Sequence, residues 1–167
     1  GRRGGHARLT VAMTGEAIIA CIANPQGEYQ PHLGGSPYNV AIGLARNGES
    51  VSYLSPFSSD NFGELMRTSL LHEGVQIPLQ RRSRYPTSLA IVTNDANRQP
   101  SYTLYREGIA DKDIALAEIA AQLRADLSVL HTGSLAITPS QLPKIRELLQ
   151  LMQRRSIVIS LDLNIRL

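Results

Sequence analysis

The residues best suited to chemistry lie in three short segments. The first is Gly34-Gly35-Ser36-Pro37-Tyr38-Asn39, running on to Ala45-Arg46-Asn47-Gly48. Paired glycines ahead of a helix let backbone N–H groups approach a ligand closely, because glycine has no Cβ to hold it off. The plainer reading of the pair is a turn that needs glycine for its backbone alone. Asn39, in the first turn of that helix, offers two donors and two acceptor lone pairs, a match for vicinal hydroxyls. It can equally bond its own helix end. The second segment is Tyr105-Arg106, closing a strand-like run. A guanidinium there can grip a carboxylate with two parallel hydrogen bonds, and a phenol beside it can stack or hydrogen-bond. Taken alone, however, Arg106 reads as a solvated hairpin end and Tyr105 as packing. The third segment is Asp162-Leu163-Asn164-Ile165-Arg166, directly after an apolar run. Arg166 has the chemistry to take an acid or a phosphate, against the simpler reading of a polar strand end.

Other candidates are weaker. His131 stands in an apolar strand and reads as a satisfied core residue, and Cys21 as a small buried hydrophobe. No spacing of His, Cys and carboxylates suggests a metal site. Neither a G-x-S-x-G elbow nor a Walker sequence occurs, and no G-x-G-x-x-G follows the first strand, which argues against other doubly wound nucleotide-binding proteins.

These residues must be positioned by the rest of the 167, of which 43% are hydrophobic and 19% charged, as in one globular domain. The net charge of +3 is modest. Arginine carries nearly all the positive charge, since Lys112 and Lys144 are the only lysines. Arg81-Arg82-Ser83-Arg84 and Arg154-Arg155 fall at element ends rather than along one face, so no nucleic-acid partner is expected. No apolar run is long enough to span a membrane, so no membrane partner is expected either. Residues 1–8 read as a tag remnant or disordered lead-in. A single cysteine fits a reducing cytoplasm.

Two apolar runs, 9–13 and 17–21, are consistent with a buried strand around Gly15-Glu16. Asn24-Pro25-Gln26-Gly27 is a turn signal, and 28–33 alternates like an exposed strand. A helix over 37–47 follows, with Ser36 as N-cap, Pro37 at its first position and Asn47-Gly48 as a stop. Residues 51–54 read as a core strand. Asp60 caps a helix that keeps its apolar spacing until Gly74. Short strands are then expected at 79–82, 88–94 and 101–106, a β-rich insertion. Alternation resumes with a strand at 128–131, a helix opened by Thr138-Pro139 and ending at Met152, and a strand at 157–161. Strands alternating with helices indicate a parallel sheet with right-handed crossovers. Ligands of such sheets bind beyond the carboxyl ends of the strands, where the loops after Cys21, Leu54, His131 and Leu161 are expected.

Several motifs fall in an order that resembles one family. They are Gly15-Glu16-Ala17-Ile18-Ile19, the Gly34-Gly35 to Gly48 segment, Ser59-Asp60-Asn61-Phe62-Gly63, Gly74-Val75, Thr87-Ser88-Leu89-Ala90, Tyr105-Arg106-Glu107-Gly108, His131-Thr132-Gly133-Ser134-Leu135 and Asp162-Leu163-Asn164-Ile165-Arg166. Together they resemble the ribokinase-like (PfkB) carbohydrate kinases, and within them the fructokinase and 2-keto-3-deoxygluconate kinase branch. The resemblance implies an α/β fold: a ribokinase-like three-layer core with a parallel sheet and a small β lid, the lid segments lying at about 24–35 and 79–106. It further implies an ATP- and Mg2+-dependent kinase acting on a sugar or sugar acid, cytoplasmic and homodimeric. Only the N-terminal half of such a kinase is matched. The catalytic base and the ATP site are therefore expected beyond Leu167, and no catalytic residue within the chain. Gly34, Gly35, Asn39, Tyr105, Arg106, Asn164 and Arg166 are the substrate-side candidates this resemblance supports. One departure stands out: where the branch usually has an Asp that binds sugar hydroxyls, this sequence has Ala20.

Overall fold

The computed structural model describes residues 8–133, 135 and 138–163. Residues 1–7, Ser134, Asn164 and Arg166 thus lie outside the described residues.

The two apolar runs flanking Gly15-Glu16 form two strands, not one. They are β1 (Thr10–Thr14) and β2 (Ile18–Ala23), and they belong to different sheets. Gly15, at φ 124°, turns the chain between them with a backbone that side-chain-bearing residues rarely adopt. All five residues of β1 are buried, as in a central strand covered on both faces.

β1 lies in a parallel sheet ordered β4 (Ser50–Tyr53), β1, β7 (Val129–Gly133), β8 (Val158–Asp162). Val11 is level with Val51 on one side and Val129 on the other. Successive residues of β1 feed opposite cores, as the pleat requires. Met13 joins Tyr38, Val51, Tyr53, Met66 and Leu70 under α1 (Ser36–Arg46) and α2 (Asn61–His72). Ala12 joins Leu54, Ile119, Leu130, Leu148 and Met152 under α3 (Leu116–Gln122) and α4 (Leu142–Arg154). The result is helix, sheet, helix: three layers. At the margin, β8 pairs with β7 alone among the described strands, leaving Val158 and Leu161 exposed.

A second sheet runs β3 (Tyr29–Gly34), β2, β5 (Ser88–Asn94), β6 (Pro100–Tyr105). Its outer pairings are antiparallel and the central one parallel. Both hairpins are built on Asx turns. Asn24 Oδ1 accepts from the backbone N–H of Gln26 and Glu28, and Asp95 Oδ1 from those of Asn97 and Gln99.

Four local expectations are corrected. Gly35, not Ser36, occupies the N-cap of α1; Ser36 is already helical and its hydroxyl bonds elsewhere. Residues 79–82 form no strand. Their chain is held by side chains instead: the Arg81 guanidinium donates to Glu118 and Asp113, and that of Arg82 to the Ser58 carbonyl and Glu64. The helix expected from Thr138-Pro139 begins at Leu142, with Pro143 in its first turn, because residues 138–141 close a turn from the Gln141 N–H to the Thr138 carbonyl. Finally, the loop after Cys21 does not lie at the edge of the parallel sheet, since Cys21 belongs to β2. Asp60 does cap α2, its Oδ1 accepting from the Gly63 N–H at 2.7 Å.

Candidate active site

The carboxyl ends of β1 and β7, the first turn of α1 and the junction with the second sheet converge on one region. Gly35 fixes its geometry. At φ 108° it turns the end of β3 into α1, and a Cβ on it would fall 2.5 Å from the Glu16 carbonyl oxygen. Only glycine fits there. Gly34 is different: a Cβ would meet nothing closer than the Ile18 carbonyl at 4.0 Å. Of the paired glycines, one is required by close approach and its neighbour is an ordinary strand residue opposite Ile18.

Beyond Gly35, Ser36 Oγ donates to Asp162 Oδ2 at 2.8 Å, tying the start of α1 to the end of β8. Asn39 is exposed in that first turn, its N–H donating to the Gly35 carbonyl. Tyr105 is exposed at the end of β6.

Arg106 is not a solvated hairpin end: only 8% of it is exposed. Its two terminal nitrogens donate to the two oxygens of Asp111, each at 3.0 Å, and one also donates to Ser88 Oγ at 3.0 Å. The other reaches the Leu135 carbonyl at 3.3 Å. The two-pronged grip that suits a carboxylate is here given to Asp111, from the short 3-10 helix Ala110–Lys112.

Glu16, Asp111 and Ser88 complete this buried group, and sequence reasoning did not single them out as site residues. Glu16 is 2% exposed. Its carboxylate fills the space that a side chain at Gly133 would need, since a Cβ there would lie 2.8 Å from Oε1, 2.9 Å from Oε2 and 2.8 Å from the Pro37 ring. Burial pushes the Glu16 carboxyl above its ordinary range; its own N–H, Arg106 and the Leu135 N–H pull the other way, and the nearby Asp111 adds to the rise. Burial also pushes Asp111 up, against the opposing charge and hydrogen bonds of Arg106. Two carboxyls thus compete for one guanidinium, and the hydrogen bonds go to Asp111. Tyr53 closes the floor, its hydroxyl donating to the Gly15 carbonyl at 2.6 Å, while Ser55 Oγ accepts from the Gly15 N–H. The signal for Glu16 was available: it is a lone charge between two apolar strand runs.

His131 is only half satisfied. Nδ1 shares a 2.9 Å hydrogen bond with Ser160 Oγ, whereas Nε2 is buried with no partner among the described residues. Burial lowers its pKa, opposed by Asp162. No cluster of three or more His, Cys, Asp or Glu suited to a metal ion occurs among the described residues.

A parallel sheet between helix layers, joined to a second sheet, is the architecture of ribokinase-like sugar kinases, and solved members superpose on it. The fructokinase of Xylella fastidiosa gives a TM-score of 0.79 at 29% identity, over 93% of this chain and 51% of that one. The same enzyme with bound ATP gives 0.80 at 27% identity, over 95% and 53%. The chain belongs to the pfkB family of carbohydrate kinases, whose pattern it matches over residues 8–167. Among curated relatives, the 5-dehydro-2-deoxygluconokinase of Clostridium tetani is 32% identical over 117 residues, 68% of this chain and 34% of its own length. The fructokinase of Rhizobium leguminosarum bv. trifolii is 32% identical over 156 residues, 91% of this chain and 47% of its own length. The chain therefore spans a third to a half of the length of these relatives, consistent with their N-terminal half.

Proposed function

We propose that this chain is the sugar-binding part of an ATP-dependent kinase, fructokinase-like or ketodeoxygluconate kinase-like, that phosphorylates a sugar hydroxyl. The observation that carries the reading is the close approach at Gly35. It sets the first turn of α1, with Asn39 exposed, at the place where the two sheets meet. The second sheet acts as a lid over that turn, with Tyr105 at its rim, and Gly34, Gly35 and Asn39 hold the hydroxyls. Arg106 meets an acidic substrate only by exchanging Asp111 for the substrate carboxylate; otherwise it organises the lid base. Asn164 and Arg166 are assigned to the substrate or phosphate side by family resemblance alone.

ATP supplies the phosphoryl group in such kinases, and Mg2+ neutralises its phosphates. The described residues do not fit either group: they offer no glycine-rich loop beyond the one at Gly34-Gly35 and no acidic cluster for a metal. On this reading the described residues supply binding rather than turnover. The assembly proposed is a cytoplasmic homodimer, formed through the lid or the open edge at β8, with no nucleic-acid or membrane partner. A coupled assay tests the reading. The chain alone is expected to give no fructose- or ketodeoxygluconate-dependent ADP above blank, yet to bind one of these sugars in a titration without ATP.

One observation favours a second reading, a non-catalytic sugar-binding pseudokinase. Ala20 in β2 stands where the branch usually has a hydroxyl-binding Asp, and the loss of such a charge-assisted bond costs roughly 1.5–3 kcal/mol.

A further inference from the structure

The chain crosses between the parallel sheet and the second sheet four times: at Gly15–Ala17, at Gly35, just before Ser88 and just after Tyr105. All four crossings meet at one buried group of charges. Glu16 sits in the first. Gly35 in the second backs onto the Glu16 carbonyl. Ser88, at the third, accepts from Arg106 of the fourth, and Arg106 is anchored to Asp111.

This group is unbalanced. Arg106 stands against two carboxyls and spends its paired hydrogen bonds on Asp111, while Glu16 Oε2 is buried without a partner among the described residues. The groups facing Glu16 are known by element. Arg106 approaches from the end of β6 and Asp111 from the 3-10 helix, while the Leu135 backbone follows β7. The Pro37 ring belongs to α1, Gly133 to β7 and the Tyr53 hydroxyl to β4. An ionised carboxylate whose only nearby counter-charge is already spent on Asp111 is costly in such a place, whereas a neutral acid is far less so.

We propose that Glu16 is a positioning residue for the second sheet: it holds a proton while that sheet stands in the arrangement described, and losing the proton to solvent loosens the four crossings. The upward push of burial on its carboxyl agrees with this. A carboxyl that binds its proton more tightly in the seated form than in the open one stabilises the seated form fully below the open-state value. That stability is lost as pH climbs through the seated-state value. The inference rests on the proposed function only in calling the sheet a lid.

Hydrogen exchange on the 167-residue chain, without sugar, tests it. Protection factors of amides in β2 and β5 are expected to fall by up to about tenfold per pH unit across the Glu16 titration. In Glu16→Gln, which imitates the protonated acid, that slope is expected to fall to what Asp111 alone contributes, and protection to stay higher than in the wild type. Equal slopes in the two proteins would overturn the proposal. A carbon-13 titration of the wild-type glutamate carboxyls decides the matter even if the variant does not fold. A Glu16 midpoint above the ordinary carboxylate range supports the proposal, and one at or below that range refutes it. Neither measurement involves sugar, so a failed sugar titration would count against the proposed function and leave this result standing.

Discussion

Replacing Gly35 by alanine is expected to destabilise the protein severely, whereas the same change at the adjacent Gly34 is expected to do almost nothing. At φ 108° an L-residue adopts a backbone it rarely visits, which costs roughly 1–2 kcal/mol. The new Cβ would then lie 2.5 Å from the Glu16 carbonyl oxygen and 3.3 Å from the Ala17 Cα, both backbone atoms that cannot swing aside. Relieving such a clash shifts the chain at a cost of typically about 1–3 kcal/mol. The sum, about 2–5 kcal/mol, is a large share of the roughly 5–15 kcal/mol that holds an ordinary domain together. At Gly34 the nearest atom is 4.0 Å away, and alanine in a strand should be neutral or better than glycine by up to about 1 kcal/mol. Urea denaturation of the three proteins measures the difference, with midpoints compared at matched slopes. A pair of equal losses at Gly34 and Gly35, or no loss at Gly35, would refute the argument that close approach selects this glycine.

Four further outcomes are expected. Asp60→Ala should lower stability by about 1–2 kcal/mol, the usual worth of an N-cap, because Asp60 accepts from the Gly63 N–H as well as from the Thr87 N–H and hydroxyl. Burial pushes the Asp60 carboxyl up, but those hydrogen bonds outweigh it and hold it below its ordinary value. Its contribution should therefore be present above the unfolded value and fade as pH falls through the lowered one, a slope that Asp60→Asn removes in acid denaturation. Arg106→Ala should cost about 3–5 kcal/mol by denaturation, since it leaves Asp111 buried and unpaired; a loss below about 1 kcal/mol would mean that the pair is not formed in solution. Ala20→Asp should tighten binding of D-fructose by roughly ten- to a hundredfold in calorimetry, if the missing carboxylate is what limits affinity. Val158→Lys, at an exposed position of the margin strand β8, should weaken any concentration-dependent association seen by sedimentation; unchanged association would place the interface elsewhere.

Much of this architecture was legible because strong local signals agreed with the global fold. Asp60 is a good cap followed by apolar residues at helical spacing, and it caps α2 as read. Where local signals were weak, the reading failed in ways that have physical causes. The helix α3 went unread because Leu116–Gln122 is short and opens at Ala115, with no capping side chain to announce it. Residues 79–82 looked like a strand because Leu79 and its neighbours suit one, but bonds from Arg81 and Arg82 side chains hold that backbone without a ladder. The runs on either side of Gly15-Glu16 could not be assigned to two sheets by periodicity, which does not see a turn made by one glycine. The burial of Arg106 was equally invisible, because it depends on Asp111 meeting it across a fold-level junction. What could be read was the turn at Gly35 and the start of α1, where the proposed site lies. Its electrostatics could not, because they arise from tertiary pairing.

Calorimetric titration of the chain with D-fructose, beside the Asn39→Ala variant, tests the account most directly. Asn39 is exposed, so the variant should fold as the wild type does. Each hydrogen bond to a hydroxyl is worth about 0.5–1.5 kcal/mol, and losing two should weaken binding by roughly five- to a hundredfold. Heat of binding at millimolar sugar in the wild type, reduced by that factor in the variant, is the expected result. A wild type that takes up no sugar, or a variant that binds it equally well, would contradict the claim that this junction is a sugar site.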